Sequence, residues 1–225
     1  QVTSEKYAGQ PVARMHPNLR KRTTLVFSSV NDLKSCDVLF VGLPNKISMS
    51  YMDTFTKIAP KIIDLGADFR LHSQEVFESW YQVPHTAPQF LPKFVYGIAE
   101  LHREELRKAS YVACGGCEAT VSILALYPLI KHNILTDRII IDAKMSSSQA
   151  GGKPSLSSHH PERAGVVRSY QPSGHRHSAE IDQELGLSGK DMTVAISATA
   201  IDMVRGLLVT IHTIPQNNIT EKDVW

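Results

Sequence analysis

Two cysteines flank a glycine pair in Cys114-Gly115-Gly116-Cys117, and an apolar run with helical spacing, "EATVSILALYPL", follows the second. Three chemistries fit this pattern. A free cysteine is among the most buried residue types, so either thiol could serve as core packing. A C-x-x-C pair suits zinc or thiol exchange. Zinc would need two more ligands, and there is no second C-x-x-C; His159, His160, His175 and His177 are the nearest supply of nitrogens. The third chemistry is nucleophilic. A strand that ends in Gly-Gly and turns into a helix puts Cys117 at the helix N-terminus. Unpaired N–H groups there stabilise a thiolate, lower the thiol pKa from about 8.5 and can hold an oxyanion. Two glycines let the backbone approach a substrate closely. Cys114 would lie on the strand side of the turn, buried.

The elements that must position this turn read as alternating strands and helices. "CDVLFVGLP", "KIIDLGADF" and "YVACGG" are short apolar runs ending at Gly or Pro, as buried parallel strands do. "SMSYMDTFTKIAP" and "IAELHREELRKAS" have helical spacing between them. The alternation predicts βαβ units and a parallel sheet. After Cys117 comes one helix, then the strands "DRIIIDAKMSSS", "DMTVAISATAI" and "RGLLVTIHTI" with little helix between. This half predicts a helix packed on a mixed or antiparallel sheet. The expected class is therefore α/β, an incomplete Rossmann-like cofactor domain over 1–115 followed by an α+β catalytic and dimerisation domain over 116–225. In a strand, His175 and His177 would point to the same face.

No Gly-x-Gly-x-x-Gly occurs, so a dinucleotide-binding first turn would precede Gln1. The start reads as the tail of a strand entering a turn. The end, with Thr220 and Asp223 at capping-box spacing, reads as a helix just begun. Both suggest a piece of a longer protein. A net charge of +2 gives no case for nucleic acid, and the longest apolar stretch, "VSILALYPLI", has ten residues, too few to span a bilayer. Three cysteines suggest no disulfide framework, and a reducing cytoplasmic setting is expected. Arg14, Arg20, Lys21 and Arg22 form a small basic cluster of the kind that is usually a solvated face.

The stretches "IIDLGADFRL", "VYGIAEL", "GGCEATVSILALYPL", "GGKPSLSSHHPER", "GHRHSAEIDQEL" and "DMVRGLLVTIH" occur in this order along the chain. With them the sequence resembles the N-acetyl-gamma-glutamyl-phosphate reductase family, relatives of aspartate-semialdehyde dehydrogenase. "SSHHPER" and "GHRHSAE" resemble most the archaeal and Thermus-type branch, which acts on aminoadipyl or glutamyl phosphate attached to a small acidic carrier of the LysW type. The family's Asn/Ser-Pro-Gly-Cys turn is Cys114-Gly115-Gly116-Cys117 here, without the proline.

The resemblance implies NADPH-dependent reduction of an acyl phosphate to a semialdehyde, in lysine or arginine biosynthesis. Cys117 would be the nucleophile, displacing phosphate to give a thioester that accepts hydride. His177 would be the general acid/base, with His175 as the alternative and Glu180 orienting the imidazole. Arg70 would hold the substrate phosphate and Arg205 would lie in the substrate region. Ser4 and Lys6 would meet the cofactor's 2′-phosphate. Glu5 is unfavourable there and suits NAD, but NADP is expected, with Lys6 supplying the charge. Ser148, Gly151 and Gly152 would lie near the nicotinamide or pyrophosphate, and no resident metal is implied. The Arg14–Arg22 cluster, with His159, His160 and Arg163, would face an acidic carrier. A homo-oligomer, dimer or tetramer, is expected. The family begins with a Gly-rich loop ahead of the position of Gln1 and continues past that of Trp225.

Overall fold

A computed structural model of the chain describes residues 1–151, 155, 158–187, 193–216 and 219–224. Four short strands, β1 (Val38–Val41), β2 (Lys61–Asp64), β3 (Phe94–Tyr96) and β4 (Tyr111–Ala113), form an all-parallel sheet in the order β1-β2-β4-β3. Four more, β5 (Leu135–Met145), β6 (Arg168–Gln171), β7 (Thr193–Ala200) and β8 (Leu207–Pro215), form a mixed sheet in the order β6-β7-β5-β8. In it β5 and β7 run parallel and the other pairs antiparallel. The helices are α1 (Val12–Met15), α2 (Met52–Ile58), α3 (Gln74–Tyr81), α4 (Ala99–Lys108), α5 (Cys117–Lys131), α6 (His177–Glu184) and α7 (Glu221–Val224).

Each sheet has its own core. Val41, Ile62, Phe69, Phe77 and Phe94 fill the first, with the Phe69 and Phe94 rings stacked at 4.3 Å. Ile123, Leu126, Ile139, Ile141 and Ile196 fill the second. Alternation along β5 sends Ile139, Ile141 and Ala143 inward and leaves Ile140 exposed. On α5, Ala119, Ile123 and Leu126 recur at helical spacing and pack onto that inner face. Helix α6 is wedged between the cores: Ala179 belongs to the first and Ile181 to the second.

The βαβ alternation and the mixed second sheet agree with the sequence reading. His175 and His177, which would share a face in a strand, are not in one: His177 opens α6 and His175 lies in the turn before it. A helix buried around residues 177–181 has no one-sided apolar period to betray it. Strands β3 and β6, with three and four residues, are too short to show a pattern of their own.

Candidate active site

The parallel strands deliver their C-terminal ends to one place, where open α/β sheets bind ligands. β4 runs into Cys114, whose N–H donates to Asp64 O at the end of β2 at 2.8 Å. Gly116 then caps α5 in an extended conformation with no side-chain cap, and the first-turn N–H groups of Cys117 and Glu118 turn towards the Cys117 sulfur. Both glycines are required sterically. A Cβ on Gly115 would lie 2.7 Å from Thr120 Oγ1 and Tyr96 Oη, and one on Gly116 would lie 2.4 Å from His177 Nε2.

Cys117 is exposed, and it borders a cavity of about 370 Å³. Its thiol donates to Glu118 Oε2 at 2.7 Å. The same oxygen lies 2.8 Å from His177 Nδ1. Glu118 and His177 are 1% and 3% exposed, and both line the same cavity as the thiol. Glu118 Oε1 and His177 Nδ1 are both buried with no aligned hydrogen-bond partner.

Burial, the hydrogen bond to Glu118 and the charge of Glu118 push the Cys117 thiol up to about 12. This corrects the expectation that the helix N-terminus lowers it: burial, and after it the carboxylate one residue further on, outweigh the helix end. Burial opposes the Glu118 charge most strongly, but His177, 2.8 Å away, and the thiol hold that carboxyl down at about 2. Burial and the neighbouring His177 push His175 down to about 4. The His177 N–H donates to His175 Nδ1 at 3.3 Å, which leaves the neutral ring's proton on Nε2, 3.6 Å from Glu118 Oε1.

Glu180 is the second buried carboxylate. It accepts from Tyr96 Oη at 2.6 Å, from the Gly116 N–H at 2.8 Å and from Arg70 Nη1 at 3.3 Å. Its distance to His177 Nε2 is 3.8 Å, so Glu118, not Glu180, makes the closer contact with the imidazole. Arg70 lines the cavity, but its donors turn inward: Nε to Cys114 O at 2.7 Å, Nη2 to Leu65 O at 3.2 Å, and Nη1 to Glu180. It braces the turn and neutralises Glu180. Exposed cations on the cavity wall come instead from Arg168 and Arg176, and Tyr170 of β6 lines it too.

Other expected residues fall variously. Ser146, Gln149 and Ala150 of the loop after β5 line the cavity; Ser148 and Gly151 are exposed on the same loop, and Gly152 lies outside the described residues. Arg205 is exposed in the β7–β8 connection, whose carbonyls at Met203 and Val204 accept from Ser147 and Ser148 N–H groups. Arg163 is a correction: it is 4% exposed and its guanidinium donates to Met145 O and Ile201 O, so it is no part of a basic rim. His159 is exposed and His160 half-buried, 3.7 Å from Asp202. Arg14, Arg20, Lys21 and Arg22 are all exposed.

A second cavity of about 400 Å³ is lined by Thr3, Val30, Gly42 and Leu43. Ser4 precedes the turn at Glu5–Tyr7, and the exposed Lys6 extends over Tyr7. The Glu5 carboxylate is taken up by Ser29 Oγ at 2.9 Å and the Val30 N–H at 2.7 Å. The loop after β1 borders both cavities, through Gly42 and Leu43 on one side and Asn45 on the other.

As for metals, Cys117, Glu118 and His177 bring one donor each within 4.8 Å, but their contacts at 2.7 and 2.8 Å are those of groups sharing protons. Cys114 joins no such group among the described residues. The sequence reading passed over Glu118, Tyr96, Arg168, Tyr170 and Arg176. Only Glu118 carried a signal, an acid directly after the candidate nucleophile.

Two family models match the chain. The "semialdehyde dehydrogenase, NAD binding domain" matches residues 1–109 and the "semialdehyde dehydrogenase, dimerisation domain" matches residues 117–225. The chain belongs to the semialdehyde dehydrogenase family. Among relatives of this semialdehyde dehydrogenase chain is a [LysW]-L-2-aminoadipate 6-phosphate reductase of Deinococcus radiodurans, 46% identical over 100% of this chain and 64% of its own. A putative enzyme of the same name from Thermomicrobium roseum is 44% identical over 100% and 64%. A [LysW]-L-2-aminoadipate/[LysW]-L-glutamate phosphate reductase of Sulfurisphaera tokodaii is 43% identical over 100% and 66%. The chain thus spans 64–66% of the length of these relatives, which are named for the branch the sequence resembles. In fold it is similar to aspartate semialdehyde dehydrogenase II from Vibrio cholerae, with a TM-score of 0.69 at 14% identity over 99% of this chain and 67% of the other. No helix among the described residues is long and apolar enough to cross a membrane.

Proposed function

We propose that this chain carries the catalytic centre of a cytoplasmic, NADPH-dependent acyl-phosphate reductase of lysine or arginine biosynthesis. Its substrate is an aminoadipyl or glutamyl phosphate carried on an acidic LysW-type protein, in preference to free N-acetyl-glutamyl phosphate. The observation that carries the reading is the exposed Cys117 thiol at the start of α5, linked through buried Glu118 to His177. The names of the relatives and the exposed basic cluster of Arg14, Arg20, Lys21 and Arg22 support the carrier-bound substrate.

Cys117 Sγ attacks the acyl carbon. The sulfur–carbon bond forms, and the carbon–oxygen bond to phosphate breaks, its electron pair leaving with the phosphate. Arg168 and Arg176 meet that phosphate, with Arg70 set behind them to hold Glu180. The uncapped N–H groups of the first turn of α5 stabilise negative charge on the carbonyl oxygen. NADPH, when bound, supplies the hydride that reduces the thioester. His177 returns a proton as the hemithioacetal collapses to aldehyde and free thiol.

The two cavities suit such a cofactor, because one loop, 42–45, borders both the cavity near Thr3 and the cavity at Cys117. Ser4 and Lys6 would meet the 2′-phosphate, and Glu5 is held back by Ser29 and Val30, which supports NADP over NAD. Ser148 and Gly151 would approach the nicotinamide end. Ile140, Leu208 and Ile214 leave the outer face of the mixed sheet apolar, which supports pairing of two copies there.

The test is turnover by the full-length protein, followed as NADPH consumption with carrier-bound aminoadipyl and glutamyl phosphates and with free acetylglutamyl phosphate. The reading expects efficient use of a carrier-bound substrate. No turnover of any acyl phosphate would overturn it.

A further inference from the structure

We propose that Glu118 is the catalytic base that takes the Cys117 proton and passes it to the departing phosphate. This deepens the proposed function and rests on Cys117 being its nucleophile. Two features of the geometry carry the assignment. One carboxylate oxygen, Oε2, touches both the thiol at 2.7 Å and His177 Nδ1 at 2.8 Å, so among the described residues this acid bridges nucleophile and imidazole. The other oxygen, Oε1, is buried without a hydrogen-bond partner, its nearest cation-forming neighbour being His175 Nε2 at 3.6 Å. A buried carboxylate left half-satisfied costs stability unless it serves a further purpose.

An acid in the first turn of a helix is usually there for the helix dipole. Such an acid serves as well on the exposed side of the turn, whereas this one is 1% exposed and aimed at the thiol. Its charge works directly against a thiolate, so a resting Cys117–Glu118 pair keeps the proton on sulfur. The same contact gives the proton a short way out once an acyl carbon is in reach. The Sγ–H bond breaks as the Sγ–carbon bond forms, the proton passes to Oε2, and Glu118, which lines the cavity, hands it to the departing phosphate and ends as it began. The thiol proton thus leaves on the phosphate, which balances the step, and His177 keeps its own proton for the later collapse of the hemithioacetal.

The charged and titratable groups facing the pair are few. His175, Arg176, His177 and Glu180 come from α6 and the turn before it, Arg168 and Tyr170 from β6, Arg163 from the preceding loop and Arg70 from behind. Burial and the charges of Glu118 and Cys117 push the Tyr170 hydroxyl up to about 12, so it stays neutral and offers no competing base.

The experiment uses the full-length protein with iodoacetamide as the probe, reading alkylation of Cys117 against pH in the wild type, Glu118→Gln and Glu118→Asp. Removing the charge should shift the alkylation profile to lower pH and speed labelling at pH 7. The same change should slow acyl-phosphate reduction by roughly 10²- to 10⁴-fold, the usual loss of a positioned proton-transfer group. Glu118→Asp, which keeps the charge on a shorter arm, should retain the wild-type alkylation profile and restore part of the rate. A purely structural Glu118 would leave the alkylation profile where it is, and that result, or a Glu118→Gln enzyme of undiminished rate, overturns the proposal. Alkylation needs no substrate, so a shifted profile without any reductase activity would fault the proposed function and not the Cys117–Glu118 coupling. If Glu118→Gln does not fold, the same comparison is made with Glu118→Asp against Glu118→Asn.

Discussion

A Cβ on Gly116 would stand 2.4 Å from His177 Nε2, closer than any real Cβ contact. The glycine has an ordinary φ of −66°, so this is a matter of space and not of backbone freedom. Gly116→Ala should push the imidazole away from Glu118. A misplacement of about 1 Å can cost about 10²-fold in rate, while overpacking typically costs about 1–3 kcal/mol of stability. Kinetics and thermal melts on one variant check both, and an active Gly116→Ala enzyme would mean that His177 need not stay where it is.

Cys117→Ser should abolish reduction and Cys114→Ser should not. Only Cys117 opens into the cavity beside Glu118; Cys114 sits in the turn braced by Arg70 and Asp64. Steady-state assays of the two variants decide this.

The turn itself was legible in the sequence, because Gly-Gly-Cys before an apolar helical run can hardly be anything but a strand-to-helix turn. The site around it was not. Tyr96, Arg70 and Glu180 are brought together from positions 26 to 110 residues apart, joined only by hydrogen bonds that no local pattern encodes. His175 and His177 could be picked out as chemistry, but their helix could not, because burial on all sides erases the period that marks a surface helix. Arg163 misled for the opposite reason: an arginine in a His/Pro/Glu loop reads as exposed, and this one satisfies backbone carbonyls inside the fold.

His177→Asn should lower kcat by roughly 10²–10⁴, with a far smaller effect on KM. His175→Asn should do less, because burial holds that ring neutral down to about pH 4 and its Nδ1 only accepts from the His177 N–H. The reverse ranking would show that the two roles are exchanged.

The same depressed His175 pKa makes a stability prediction. The unfolded chain binds its proton near the ordinary histidine pKa of about 6.5, whereas the folded chain binds it only near 4. Between those values the unfolded state carries more protons, so this contribution is complete above the upper value and is lost as pH falls towards 4. Burial lowers His85 too, and it adds to the same limb. His175→Gln should therefore flatten the loss of melting temperature between about pH 6.5 and 4. An unchanged slope would count against the buried neutral ring.

Arg70→Met should destabilise the fold as well as slow it, because it leaves Glu180 buried and uncompensated, a change that costs about 3–5 kcal/mol. If Arg70 acted mainly on substrate phosphate, the variant would melt normally and show only a raised KM. Denaturant unfolding separates the two.

Charge reversal of Arg20 and Arg22 should slow turnover of a carrier-bound substrate and reduce its salt dependence, since exposed contacts are screened beyond about 8–10 Å at 0.1–0.15 M ionic strength. A free acetylated substrate should be indifferent. If carrier-bound turnover and its salt dependence both stay the same, the cluster is a solvated face.

The account rests on a bond between Cys117 and the acyl group, and that bond can be weighed. The full-length protein is mixed with the acyl phosphate in the absence of NADPH, quenched in acid, and analysed by peptide mass spectrometry. The account predicts one acyl adduct on the peptide containing Cys117, present in Cys114→Ser and lost in Cys117→Ser. No adduct with a substrate that the enzyme turns over, or an adduct that survives Cys117→Ser, would contradict it.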